Sequence, residues 1–138
     1  MNGGLKLKLD PPDKFSGKDD YENFAKRLRN YMCLWDLRYS KEMKWAESME
    51  TPITTKEVAE RDVDELQKGM TANLSAKLYY VLTNLTEGPA YTIVDQIEDS
   101  NGLEAWRRLA KRYAKIKMQS AIMKLVTIVT TKFGEKNF

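Results

Sequence analysis

Gly102-Leu103-Glu104-Ala105-Trp106-Arg107-Arg108-Leu109-Ala110-Lys111-Arg112-Tyr113 is the stretch whose reading decides the fold. Advancing about 100° per residue puts Leu103, Trp106, Leu109, Ala110 and Tyr113 on one arc, with Arg107, Arg108, Lys111, Arg112 and Lys115 on the opposite side. This is the pattern of an amphipathic helix. Ser100, Asn101 and Gly102 favour a turn and an N-cap, so its start is marked as well as its face.

On the C-terminal side, Ile116 to Phe133 places Met118, Ala121, Ile122, Leu125, Val126, Ile128, Val129 and Phe133 on a broad apolar arc opposite Lys117, Ser120, Lys124, Thr127 and Thr131. The β-branched run from Val126 weakens helix propensity there, and Gly134 is a natural stop. An apolar face this wide must be covered. Either it is the last core helix, or it begins a second unit and pairs with, or swaps into, another copy through Ile122, Leu125, Val126, Val129 and Phe133.

On the N-terminal side, Gly88-Pro89 opens a short helix through Ala90, Ile93, Val94 and Ile97. Before it, Thr54 and Glu57 have capping-box spacing and begin a helical pattern through Val58, Val63, Leu66, Met70, Leu74, Leu78, Val81, Leu82 and Leu85. Gly69 lies inside that pattern, which predicts either one long helix that tolerates it or a bend nearby. Met43, Trp45, Ala46 and Met49 suggest a further short helix before Pro52. Asp19 and Asp20 cap a core helix whose apolar face is Tyr21, Phe24, Ala25, Leu28, Tyr31, Met32 and Trp35. Cys33 lies off that face and reads as an ordinary reduced thiol. Residues 1–18 alternate Leu5, Leu7 and Leu9 with lysines and then reach Pro11-Pro12, the pattern of an extended arm with a short strand. Phe15 is its anchor, and the arm either covers the helical core or moves and binds a partner. The sum is an all-α bundle of five to six helices with an extended N-terminal arm.

Composition sets bounds on function. The 138 residues make about one domain, with 42% hydrophobic and 31% charged residues and a net charge of +3, which permits nucleic acid as a partner without demanding it. The chain has no histidine and one cysteine, so Cys/His zinc sites, Ser-His-Asp triads, Cys-His pairs and intrachain disulfides are excluded. A single unpaired cysteine suits a reducing cytosol. Neither a signal peptide nor a membrane span is expected. The acidic groups Asp19/Asp20 and Asp95/Glu98/Asp99 fall at helix ends, where carboxylates act as caps, and no glycine pair has phosphate-loop spacing. The expectation is a protein that is not an enzyme and carries no cofactor or metal. The basic run Arg107, Arg108, Lys111, Arg112 and Lys115 reads either as a solvated face, partly neutralised by Glu104 at i,i+3 and i,i+4, or as an electrostatic surface for RNA or an acidic protein face.

Several of these stretches together resemble the Gag polyprotein of LTR retrotransposons of the gypsy and copia types. The likeness is carried by Pro12-Asp13-Lys14-Phe15-Ser16-Gly17, by the helix containing Phe24, by Leu78 to Leu85, and above all by the Ala-Trp-x-x-Leu-x-x-x-Tyr pattern at Ala105, Trp106, Leu109 and Tyr113. It covers about residues 11 to 133. The resemblance implies the N-terminal domain of a capsid, an all-α unit over residues 19–114 that assembles with copies of itself into a virus-like particle in the cytoplasm. Residues 115–138 would then be the linker and first helix of a truncated C-terminal capsid domain. It makes Phe15, Phe24, Trp35, Trp106, Leu109 and Tyr113 core positions and other Gag subunits the partners, with RNA as a further one and no membrane. Phe24 stands where many relatives carry Trp, and there is no zinc knuckle. A Gag-derived host adaptor or inhibitor that binds peptides or Gag subunits is the second reading.

Overall fold

The carboxylate of Asp20 accepts the backbone N–H of Asn23 at 3.4 Å and opens the first helix where the paired aspartates predict it. The computed structural model describes residues 10–114. Its helices are α1 (Tyr21–Trp35), α2 (Arg38–Ser48), α3 (Thr55–Glu60), α4 (Met70–Leu85), α5 (Gly88–Asp95) and a last helix, α6, described over 102–114. Among the described residues there is no strand, and the bundle is all-α, as the periodicity implies. The alternating Leu5 to Leu9 segment and the apolar arc from Ile116 to Phe133 lie outside the described residues.

α1 buries Tyr21, Phe24, Ala25, Leu28 and Met32. Trp35 shares their helical face but is 60% exposed, which corrects its assignment to the core. A helical side chain leans back over the turn before it, and Trp35 is the last residue of α1, so its ring meets chiefly Tyr31, edge-on at 6.4 Å between centroids. Cys33 is a free, half-buried thiol packed against the core. α2 is the short helix expected before Pro52, 11 residues long, and it buries Tyr39, Glu42, Met43 and Ala46.

The pattern from Thr54 to Leu85 resolves into two helices instead of one. The capping box forms as its spacing predicts, with Glu57 N–H donating to Thr54 Oγ1 at 3.1 Å and Thr54 N–H to Glu57 Oε1 at 3.3 Å. Two aspartates then compete with the helix for backbone donors. Asp64 accepts the Leu66 N–H at 3.0 Å and begins a single 3₁₀ turn, Glu65–Gln67. Asp62 reaches across to Thr71, taking its hydroxyl at 2.6 Å and its N–H at 3.2 Å. Gly69 sits at φ +84°, a left-handed conformation that no interior helical residue adopts. The break leaves Val63 96% and Leu66 92% exposed, although the continuous pattern puts both on the buried face.

α5 ends at Asp95, short of the Ile97 to which the apolar spacing extends, but Ile97 is still buried. Asp99 and Ser100 then adopt positive φ angles of 57° and 51° and swing the chain into α6. α6 runs through the middle of the bundle, with Leu103, Ala105, Trp106 and Leu109 fully buried; each large apolar side chain among them contributes about 1.5–3 kcal/mol by leaving water. Its first residue fits because it lacks a side chain. A Cβ at Gly102 would collide with the backbone of α4 at Ser75 O and Tyr79 N.

Candidate functional site

The residues that carry the resemblance come together although they lie at opposite ends of the described chain. Phe15 is buried, and its backbone is held at both sides: its N–H donates to Leu85 O at 2.8 Å and its carbonyl accepts Glu87 N–H at 3.0 Å, which makes an isolated parallel bridge with Thr86. Its ring stacks on Phe24 with centroids 5.0 Å apart and meets Tyr113 edge-on at 4.9 Å. Tyr21 completes this aromatic knot, 5.5 Å from Phe15 and 6.0 Å from Trp106. Gly17, at φ +103°, leaves the room that the Tyr113 hydroxyl fills. Thus Phe15, Phe24, Trp106 and Leu109 are buried, Tyr113 is half-buried, and the arm covers the core through Phe15.

The buried polar groups make a second structure around the start of α6. Asn101 caps the helix by accepting the Glu104 N–H at 3.3 Å, and its amide nitrogen donates to Ile53 O at 2.9 Å. Glu104 Oε1 accepts the Ile53 N–H at 2.8 Å, so the connection from α2 to α3 is clipped at both polar groups of one residue. The same carboxylate receives Arg107 Nε at 2.7 Å and Arg108 Nε at 2.7 Å. Burial by itself raises the Glu104 pKa, but the hydrogen bonds from Arg107, Ile53 and Arg108 outweigh that and hold it below the usual glutamate range.

This network corrects the reading of the basic face. Arg107 is 8% exposed and locked to Glu104, because the first turns of α6 are enclosed on every side and the charge is neutralised within the helix. Arg108 is half-exposed and shares Glu104, while Lys111 donates to Glu50 at 3.0 Å. Arg112 is exposed, and Lys115 lies outside the described residues, as do Ile122, Leu125, Val126, Val129 and Phe133. The pairing of Glu104 with Arg107 and Arg108 is legible from i,i+3 and i,i+4 spacing; its burial is not.

Glu47 was not singled out by its sequence context, yet it accepts Trp106 Nε1 at 2.9 Å and Arg29 Nη1 at 3.1 Å. It thereby satisfies the indole nitrogen of the most enclosed aromatic ring. The Tyr21 hydroxyl finds no hydrogen-bond partner among the described residues, and burial first, then the nearby Glu47 charge, pushes its pKa well above the ordinary phenol range. A polar cleft of about 440 Å³ lies between the α2–α3 connection and the α5–α6 turn, where Thr54, Glu98, Asp99 and Arg108 line it. Among the described residues no group of three or more acidic or cysteine side chains is placed to hold a metal ion, and no helix is long and apolar enough to cross a membrane.

Part of the remaining surface is apolar. Leu34, Trp35 and Leu37 at the α1–α2 corner and Val63, Leu66 and Met70 at the α3–α4 connection are all exposed. The Arg38 guanidinium joins the two groups, with Nη2 on Asp36 at 2.5 Å and Nη1 on Met70 Sδ at 3.4 Å.

The chain matches no family model, no curated protein and no solved structure.

Proposed function

We propose that this chain is a structural, self-associating capsid domain of the gypsy/copia Gag type, built to contact copies of itself and other Gag subunits in the cytoplasm. One observation carries the reading. The two motifs of the resemblance, Pro12 to Gly17 and Ala105 to Tyr113, close on one another in a single aromatic knot, which is what a fold signature does when its residues serve architecture. The charged residues of α6 support it from another side. Arg107, Arg108 and Lys111 are paired within the chain, which leaves less of this helix for RNA and favours protein contacts as the working surface.

Sedimentation of the full chain at rising concentration tests the proposal. Reversible association is the expected result, and a strictly monomeric chain at the highest concentration overturns it. Leu125→Asp and Val129→Asp then examine the expected tail interface: a folded monomer assigns association to that segment, and global unfolding assigns it to the core of one chain.

A further inference from the structure

We propose that the end of the bundle formed by the α1–α2 corner and the α3–α4 connection is a self-complementary interface that seats a second copy of this chain. The partner's identity rests on the capsid reading; the location of the surface rests on the following geometry.

Six large apolar side chains are exposed there: Leu34, Trp35, Leu37, Val63, Leu66 and Met70. Together they leave on the order of 700 Å² of residue surface open, close to the roughly 800 Å² that each partner gives a standard-size interface. Val63 and Leu66 come within eight residues of Met70 on one connection, and Arg38 ties that connection to the corner through Met70 Sδ, so the two groups share one end of the molecule. Trp35 is of the residue type that most often anchors such contacts, and its ring is already steadied by Tyr31.

The charges on the rim favour a second copy over a nucleic acid or an acidic peptide, each of which needs one sign. On the α3–α4 side Asp64 and Glu65 are exposed, with Lys68 paired to Glu65 at 3.2 Å, and on the α2 and α4 side Lys41 and Lys77 are exposed, so the rim carries both signs. Lys41 lies one turn beyond Arg38 on α2, and Lys77 acts electrostatically on Asp36 at the same corner. A two-fold contact places each sign of one copy against the opposite sign of the other. This surface lies away from the Phe15–Tyr113 knot. The Phe15–Tyr113 knot sits at the N-terminus of the 15-residue α1 and Trp35 at its C-terminus, about 20 Å away.

The experiment is sedimentation velocity on the full chain, its variants and their mixtures, with melting curves to confirm that each is folded. Leu66→Asp combined with Trp35→Ala changes only exposed side chains; it is expected to stay folded and to weaken self-association at least about tenfold. Glu65→Lys and Lys41→Glu are each expected to weaken it alone, and an equal mixture of the two is expected to recover it, because only the mixed pair restores both contacts. The interface is overturned if the Leu66/Trp35 variant associates like the parent, or if the mixture stays dissociated. Association that survives those changes but is lost in Leu125→Asp removes this surface and leaves the capsid reading standing. A parent chain that never associates removes both.

Discussion

Glu104 Oε1 accepts the backbone N–H of Ile53 at 2.8 Å, across 51 positions of sequence. The same carboxylate neutralises Arg107, so one side chain joins the central helix to a distant connection and also permits a guanidinium to be buried.

Removing that carboxylate is therefore expected to be severe. Glu104→Ala strands Arg107 without its counter-charge and leaves the Ile53 N–H unpaired, a loss of roughly 3–5 kcal/mol. Glu104→Gln keeps an acceptor and is expected to lose less. Urea unfolding of both variants measures the difference.

The same group sets a pH dependence. Its pKa is lower in the folded chain than in the unfolded one, so its contribution is fully present above the unfolded value, about 4.3, and fades as the pH falls through the folded value. Melting temperatures across the acid range are expected to drop more steeply for the parent than for Glu104→Gln, which has nothing to protonate at that position. Parallel curves would refute the assignment.

Two glycines are expected to fail for different reasons. Gly102→Ala drives a methyl into α4 backbone, where no side chain can move aside, and is expected to destabilise by about 3 kcal/mol or more. Gly69→Ala meets open space but strains a left-handed residue, by about 1–2 kcal/mol, and Gly69→Asn is expected to be milder. Thermal melts order the three variants.

Trp35 and Trp106 carry the same side chain in opposite settings. Trp106→Ala is expected to lose about 3–5 kcal/mol, whereas Trp35→Ala is expected to change the stability of the monomer by no more than about 0.5 kcal/mol. Iodide quenching separates them further: at low concentration the Trp35 fluorescence is accessible and that of Trp106 is not.

The fold class, both carboxylate-marked helix starts and most of the core were legible in the sequence, because periodicity and capping are local. Phe15 could be recognised as an anchor, since an aromatic residue among Pro, Ser and Gly has no helical face to serve. What local pattern concealed was competition. Asp62 and Asp64 divert backbone donors, and Gly69 takes a left-handed turn, so Val63 and Leu66 kept the right spacing on a helix that does not form. A helical wheel likewise gives α6 a wet side by construction. It cannot register that Asn101, Gly102 and Glu104 lie against Ile53 and α4, which encloses Arg107.

The Phe15 bridge to the α4–α5 junction also decides how the body can be handled from outside. Because the incoming chain at Phe15 and α6 at Tyr113 meet at the one aromatic knot, labels placed beside Phe15 and beside Tyr113 would report on the same corner of the body, away from the apolar end at the other extremity of α1.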